Sequence, residues 1–151
     1  MSASDRKLCI GLAGPSDLET IYRLRHVVYA CELGQHPVNA AERLTDSLDG
    51  HNCYITATQN GQIIGFISIT PPSSPCYSVD KYFPRETMPF PFDDKLYELR
   101  LLTVLPAHRG RDIHLVLMYA ALRWAEAHGG TRVVAIGRRE RSIVGERADN
   151  K

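Results

Sequence analysis

The sequence predicts an α/β domain built on one mixed β-sheet with helices covering both faces. Three observations carry this. Apolar periodicity switches between about two and about 3.6 residues along the chain. Two β-rich runs meet at Asn60-Gly61, a strong hairpin signal. The last regular stretch is strand, helix, strand, which implies a parallel pair joined by a crossover.

The elements follow in order. Lys7 to Ala13 reads as a short strand closed by Gly14-Pro15. Ser16 suits a helix N-cap, with Glu19 completing a capping box. Ile21, Leu24, Val28 and Cys31 recur at spacings of three and four and predict an amphipathic helix over Asp17 to Glu32. Gly34 and Pro37 end it, and a shorter helical piece is expected over Asn39 to Leu44. Asn52 to Thr58 and Gln62 to Thr70 form the hairpin. Pro71 to Asp94 is rich in proline and aromatics, so it is not sheet interior. A loop of that length is functional or poorly ordered, and its aromatics argue against plain disorder. Leu96 to Val104 is a strand, Ile113 to His128 a helix ending at Gly129-Gly130, and Thr131 to Ile136 a strand.

Residues 1–137 therefore read as one domain and 138–151 as a charged tail with almost no apolar content. A chain of 151 residues suffices for one core. At 44% hydrophobic and 23% charged, the composition excludes a disordered or fibrous protein. A formal net charge of +1 provides no global field for nucleic acid or anionic lipid. The arginines between Arg132 and Arg147 lack interleaved aromatics and read as a solvated tail. Cys9, Cys31, Cys53 and Cys76 show no CxxC or Cys/His cluster, so no metal site is expected, and a reduced chain using cysteine as a small hydrophobe fits best. With a polar N-terminus and no apolar run long enough to cross a bilayer, the expected location is cytoplasmic.

The chemistry concentrates between the strand Leu96 to Val104 and the following helix. Leu105-Pro-Ala-His-Arg-Gly-Arg is a glycine turn with two arginines that feeds a helix N-terminus. The first helical amides have no intrahelical partners and the helix dipole favours anions there. Alone, this pattern also fits an ordinary surface turn.

The longer run Glu98-Leu-Arg-Leu-Leu-Thr-Val-Leu-Pro-Ala-His-Arg-Gly-Arg resembles the core motif of the GNAT superfamily of N-acyltransferases. The resemblance implies that the turn amides hold the pyrophosphate of acetyl-CoA or a longer acyl-CoA, while the strand backbone pairs with the pantetheine arm. Carried over, Leu102 and Val104 offer backbone contacts, and Arg109, Gly110, Arg111, Ile113 and His114 line the pyrophosphate corner. Two positions depart from the pattern: Asp112 and His114 stand where small residues, mostly glycine, are usual. Asp112 either repels a phosphate or caps the helix with its side chain; an acyl carrier protein as donor would lessen the conflict.

A narrower resemblance links Arg23-Leu-Arg-His-Val-Val-Tyr and Leu44-Thr-Asp-Ser-Leu-Asp-Gly to acyl-homoserine-lactone synthases and N-acyl amino acid synthases. It implies a substrate role for Asp46, Asp49 and Arg100 toward a small amine acceptor, and makes Glu98 the candidate catalytic base. Turn chemistry near Gly50 explains both aspartates equally well, and Glu98 could simply pair with Arg100. Phe90 and Phe92 could wall an acyl or acceptor pocket or close the rim of the core. The family pattern continues with another helix and two strands that this sequence lacks, so an exposed sheet edge is expected, with a second copy or a partner chain covering it. The competing expectation is a catalytically silent module of the same fold, acting as a binding or regulatory subunit.

Overall fold

The computed structural model describes residues 7–137; the charged segment 138–151 lies outside the described residues. Five strands form one sheet in the order β1-β2-β3-β4-β5. They are β1 (Cys9–Leu12), β2 (Cys53–Gln59), β3 (Gln62–Thr70), β4 (Leu96–Val104) and β5 (Arg132–Ala135). The first four pair antiparallel, and β4 with β5 is parallel, with helix α2 (Ile113–Ala127) between them in the chain. This is the mixed α/β sheet the sequence predicts.

Side-chain alternation divides the core between the two faces of the sheet. On one, Ile55, Ala57, Ile67, Ile69, Tyr97 and Leu99 pack beneath Ile113, Leu117, Ala121 and Ala125 of α2. On the other, Tyr54 and Phe66 receive Ile21 of α1 (Pro15–Arg25). The segment 71–94 covers the remainder of that second face. It contains two short 3-10 turns (Ser78–Lys81 and Arg85–Thr87), and its Tyr77 and Val79 are buried with Leu96 and Val134. The long loop is thus an ordered cover for the sheet.

Several local expectations are corrected. The N-cap of α1 is Gly14, not Ser16; Pro15 opens the helix, and the Asp17 carboxylate accepts the Gly14 N–H at 2.8 Å. Proline at the first helical position sets the start. Glu19 instead pairs with Arg43 and Arg23. The expected single helix to Glu32 changes type: His26–Glu32 is a π-helix. The wider coil carries Cys31 out to solvent while Val28 stays buried. Cys9 and Cys76 are exposed too and Cys53 is half-buried, so cysteine is not the core hydrophobe expected. Over Asn39 to Leu44 there is no helix. The Asn39 side chain donates to the Arg43 carbonyl (2.9 Å) and accepts the Arg43 N–H (3.3 Å), a local bracket that competes with helical bonding. The hairpin is as read: Asn60 and Gly61 both take positive φ (55° and 73°), matching a type I′ turn.

Candidate active site

Strand β4 outruns its parallel neighbour. The β4–β5 ladder ends at Leu99 opposite Ala135, whereas β4 continues to Val104. On its other edge the register slips: Phe66 faces Thr103 and Ser68 faces Arg100, so β4 carries one extra residue. Leu101 absorbs it with φ 56°. That left-handed conformation is costly for a bulky side chain and is found mostly where structure over-determines it. Bulges re-aim neighbouring side chains. Here Leu101 packs toward Ile21 and Phe66, and Leu102 and Val104 turn to a cavity of about 250 Å3.

That cavity is lined by Leu102, Val104, His108, Arg109, Gly110, Ile113 and His114. The structure therefore brings together every residue the sequence assigned to the cofactor except Arg111, and adds His108. Arg111 is exposed beyond the rim, its guanidinium 3.4 Å from His108 Nδ1. Gly110 supplies φ 82°, which the turn requires and a β-carbon would resist. Asp112 is exposed, takes φ 61° and makes no side-chain cap hydrogen bond. Its carbonyl accepts the Leu115 and Val116 amides at 3.1 and 3.2 Å, and its carboxylate does not plug the helix start.

Arg109 differs from the expected free donor. Its Nε donates to the Val104 carbonyl at 2.8 Å, and its terminal nitrogens clasp Glu32 at 2.5 and 2.8 Å. It straps the end of β4 to the π-helix. The hydrogen bond from Arg109 holds the Glu32 carboxyl below the usual carboxylate range.

A second cluster forms beneath α1. The Arg25 guanidinium, buried, donates to both Asp49 oxygens (2.9 and 2.8 Å), to Tyr54 Oη (3.1 Å) and to Asp46 (3.1 Å). Tyr54 donates to Asp49 at 2.7 Å. Arg100 pairs with Asp46. The structure thus joins Asp46, Asp49 and Arg100, and recruits Arg25 and Tyr54, which sequence reasoning did not single out. The aspartates also do turn work, as Asp49 accepts the Asp46 N–H (2.6 Å) and Asp46 the Leu48 N–H (2.9 Å). Burial works to raise the Asp46 carboxyl, but the hydrogen bond and charge of Arg100 prevail and hold it low. Arg25 could have been found: it sits four residues after Ile21 and three before Val28, a charge on the apolar stripe.

Glu98 stands apart from the cavity. It is 1% exposed, and its two oxygens accept the Ser78 and Val79 amides at 2.6 and 2.9 Å. It neither pairs with Arg100 nor lines the cavity; it ties the long loop to the sheet. Phe90 and Phe92 likewise lie elsewhere, stacked at 5.6 Å and packed against the cluster of Tyr77, Leu96 and Val134. Among the described residues no group of three His, Cys, Asp or Glu is placed to hold a metal, and no helix is long and apolar enough to cross a membrane.

No curated protein sequence matches the chain. Among solved structures, the CoA-dependent acyl-homoserine lactone synthase BjaI with SAM and isopentyl-CoA superposes with a TM-score of 0.74 at 23% identity, covering 85% of this chain and 66% of that one. A second CoA-dependent acyl-homoserine lactone synthase, MesI, gives 0.69 at 19% identity, covering 84% and 69%. The aminoglycoside N-acetyltransferase AAC(6')-Iy in complex with CoA gives 0.56 at 18%, covering 94% and 88%. The chain thus spans about two thirds of the synthases' length, and at these identities the likeness is one of fold. The model of the Acetyltransferase (GNAT) family matches residues 18–143, a span that includes the bulged strand, the glycine turn and the helix N-terminus described above. The chain belongs to the GNAT acetyltransferase family.

Proposed function

We propose that the chain is an N-acyltransferase that moves an acyl group from acyl-CoA, or from acyl carrier protein, to a small amine. One observation carries this reading: a cavity framed by the end of β4, which runs past the β5 ladder among the described residues, the Gly110 turn and the N-terminus of α2. A diphosphate suits the turn and the first α2 amides, since Asp112 leaves them uncapped. The pantetheine arm would run along the β4 edge past Leu99, where the β4–β5 ladder of the described residues ends. Backbone N–H groups of the Leu102 to Val104 stretch would take the tetrahedral oxyanion. Solved neighbours that hold CoA or isopentyl-CoA support the donor class.

For the acceptor, the Arg25–Asp49 and Arg100–Asp46 pairs balance in charge, and Asp46 is the more open of the two carboxylates. A cationic amine would approach there. Glu98 is engaged by two amides, so the acceptor's proton leaves to water rather than to it. The exposed Leu115, Tyr119 and Leu122 on α2 support self-association or a partner chain as part of the same proposal; light scattering on the purified chain tests it.

The deciding measurement is a thermal shift with CoA, acetyl-CoA and a long-chain acyl-CoA. A ligand of the native state raises the melting temperature by mass action. No shift with any of the three would favour the second reading, a catalytically silent binding module, which the engagement of Glu98 and Arg109 already suits.

A further inference from the structure

We propose that two copies of the chain pair through α2, antiparallel across a twofold axis, with Arg111 of each bound to Glu126 of the other. The inference rests on the self-association part of the reading above, which it turns into one arrangement; it does not need acyl transfer.

The helix gives the first argument. A helix that packs on one side of a sheet ordinarily turns a polar face to solvent. In α2 the inner stripe Ile113, Leu117, Ala121 and Ala125 is buried, yet the outer side carries Leu115, Tyr119 and Leu122, exposed by 57%, 64% and 39%. Spacings of four and three set these three on one line along the helix. Nothing among the described residues covers that line. Contiguous apolar surface of this kind marks a contact site.

Charge and spacing choose the occupant. Arg111 and Glu126, both exposed, bracket the line, each four residues beyond the nearer leucine. The order Arg, Leu, Leu, Glu at 111, 115, 122 and 126 is its own complement when reversed. An antiparallel copy therefore sets Leu115 against the partner's Leu122 and Arg111 against the partner's Glu126, and the twofold repeats both contacts. Tyr119 falls beside the axis, next to the partner's Tyr119. A parallel copy would set arginine on arginine and glutamate on glutamate, so charge selects the antiparallel one. Neither group is held tightly in its own chain. Arg111 lies 3.4 Å from His108 Nδ1 and Glu126 3.7 Å from Arg123, both contacts in solvent. The pairing gives a role to Arg111, which the cavity leaves outside. Since His108 lines the cavity, it also brings the C-terminal half of the partner's α2 to the cavity rim. One pair of 15-residue helices, each about 22 Å long, is a small interface, so the dimer is reversible.

The test is sedimentation of the full chain, without ligand, from micromolar to near-millimolar concentration. It compares wild type, Arg111→Glu, Glu126→Arg and the double exchange, with circular dichroism to establish that each is folded. Wild type is expected to pass from monomer to dimer. Each single reversal puts like charges together at both ends and should weaken association by about 10-fold or more. The double exchange restores both pairs and should recover wild-type association. Wild type that stays monomeric throughout overturns self-association and this pairing with it. A dimer that both single reversals leave intact overturns the α2 pairing alone. Single variants that dissociate, with a double variant that does not recover, overturn the antiparallel register. Acyl-CoA binding is decided separately by the thermal shift.

Discussion

Arg25 and Asp49 meet at 2.8 Å with both side chains almost entirely out of solvent, and the Tyr54 hydroxyl closes the third side. A pair like this is weak evidence for net stability, because desolvation offsets attraction; breaking one half is another matter. Arg25→Ala strands a buried carboxylate and is expected to cost about 3–5 kcal/mol, read in urea or thermal unfolding. A loss below about 1 kcal/mol would mean that water reaches Asp49 freely. Acid adds a second test. Because Arg100 holds the Asp46 carboxyl low, the unfolded chain binds more protons than the native one on the acid side. That contribution is complete above the ordinary aspartate pKa of about 4 and disappears as pH falls through the depressed native value. Asp46→Asn should flatten this acid limb, and an unchanged limb would remove Asp46 from it.

Glu98 holds a loop, and that makes a prediction opposite to a base's. In Glu98→Gln the amide oxygen keeps one backbone donor, while the new NH2 confronts the other. Loss of a hydrogen bond to a buried charged acceptor costs about 1.5–3 kcal/mol. The expected outcome is lower stability and faster proteolysis within residues 74–80, with acyl-CoA affinity nearly intact. A variant as stable as wild type but slow in turnover would restore Glu98 to the chemistry.

Gly65 lies against the bulge from the β3 side. A β-carbon there would stand 2.8 Å from the Thr103 carbonyl oxygen and 3.2 Å from Leu117. The nearer obstacle is backbone, so no rotamer relieves it. Gly65→Ala is expected to destabilise by about 1–3 kcal/mol through forced separation of β3 and β4. Because Thr103 would shift with the strand, CoA binding should weaken as well. Unaltered unfolding and CoA binding would show the bulge to be more pliable than its register implies.

Much of the fold was legible because its signals are local. The Asn60-Gly61 turn, the strand runs and the α2 stripe each declare themselves within a few residues. What escaped was set by tertiary packing. The π-helix that begins at His26 holds Tyr29 against Thr103 of β4 and Glu32 against Arg109 in the turn after it, 74 and 77 residues away in sequence. The cavity residues were readable from one contiguous motif, Leu102 to His114, whereas the partners of Arg109 and Glu98 came from distant segments. Glu98 looked like a base because strand position says nothing about which amides a loop will bring to it. Arg25 was visible as a charge on an apolar stripe, but its three partners lie in segments no periodicity connects.

Asp112 is the residue whose replacement should improve the molecule. Its φ of 61° is left-handed, which aspartate tolerates and glycine adopts freely. The helix-opening bonds run through its carbonyl, so they survive a change of side chain. Asp112→Gly is therefore expected to leave stability equal or up to about 1 kcal/mol higher. The carboxylate also sits beside the corner proposed for a diphosphate. Removing one negative charge roughly 8 Å from two others in water is worth about 1 kcal/mol, or about fivefold in affinity. Calorimetry with CoA should show that tightening in dilute salt and its decline in concentrated salt, where screening removes the repulsion. Asp112→Asn separates the two effects: it keeps the backbone preference and drops the charge, so it should tighten CoA without the gain in stability. If both variants bind CoA no better than wild type at any salt concentration, the diphosphate does not lie at this corner.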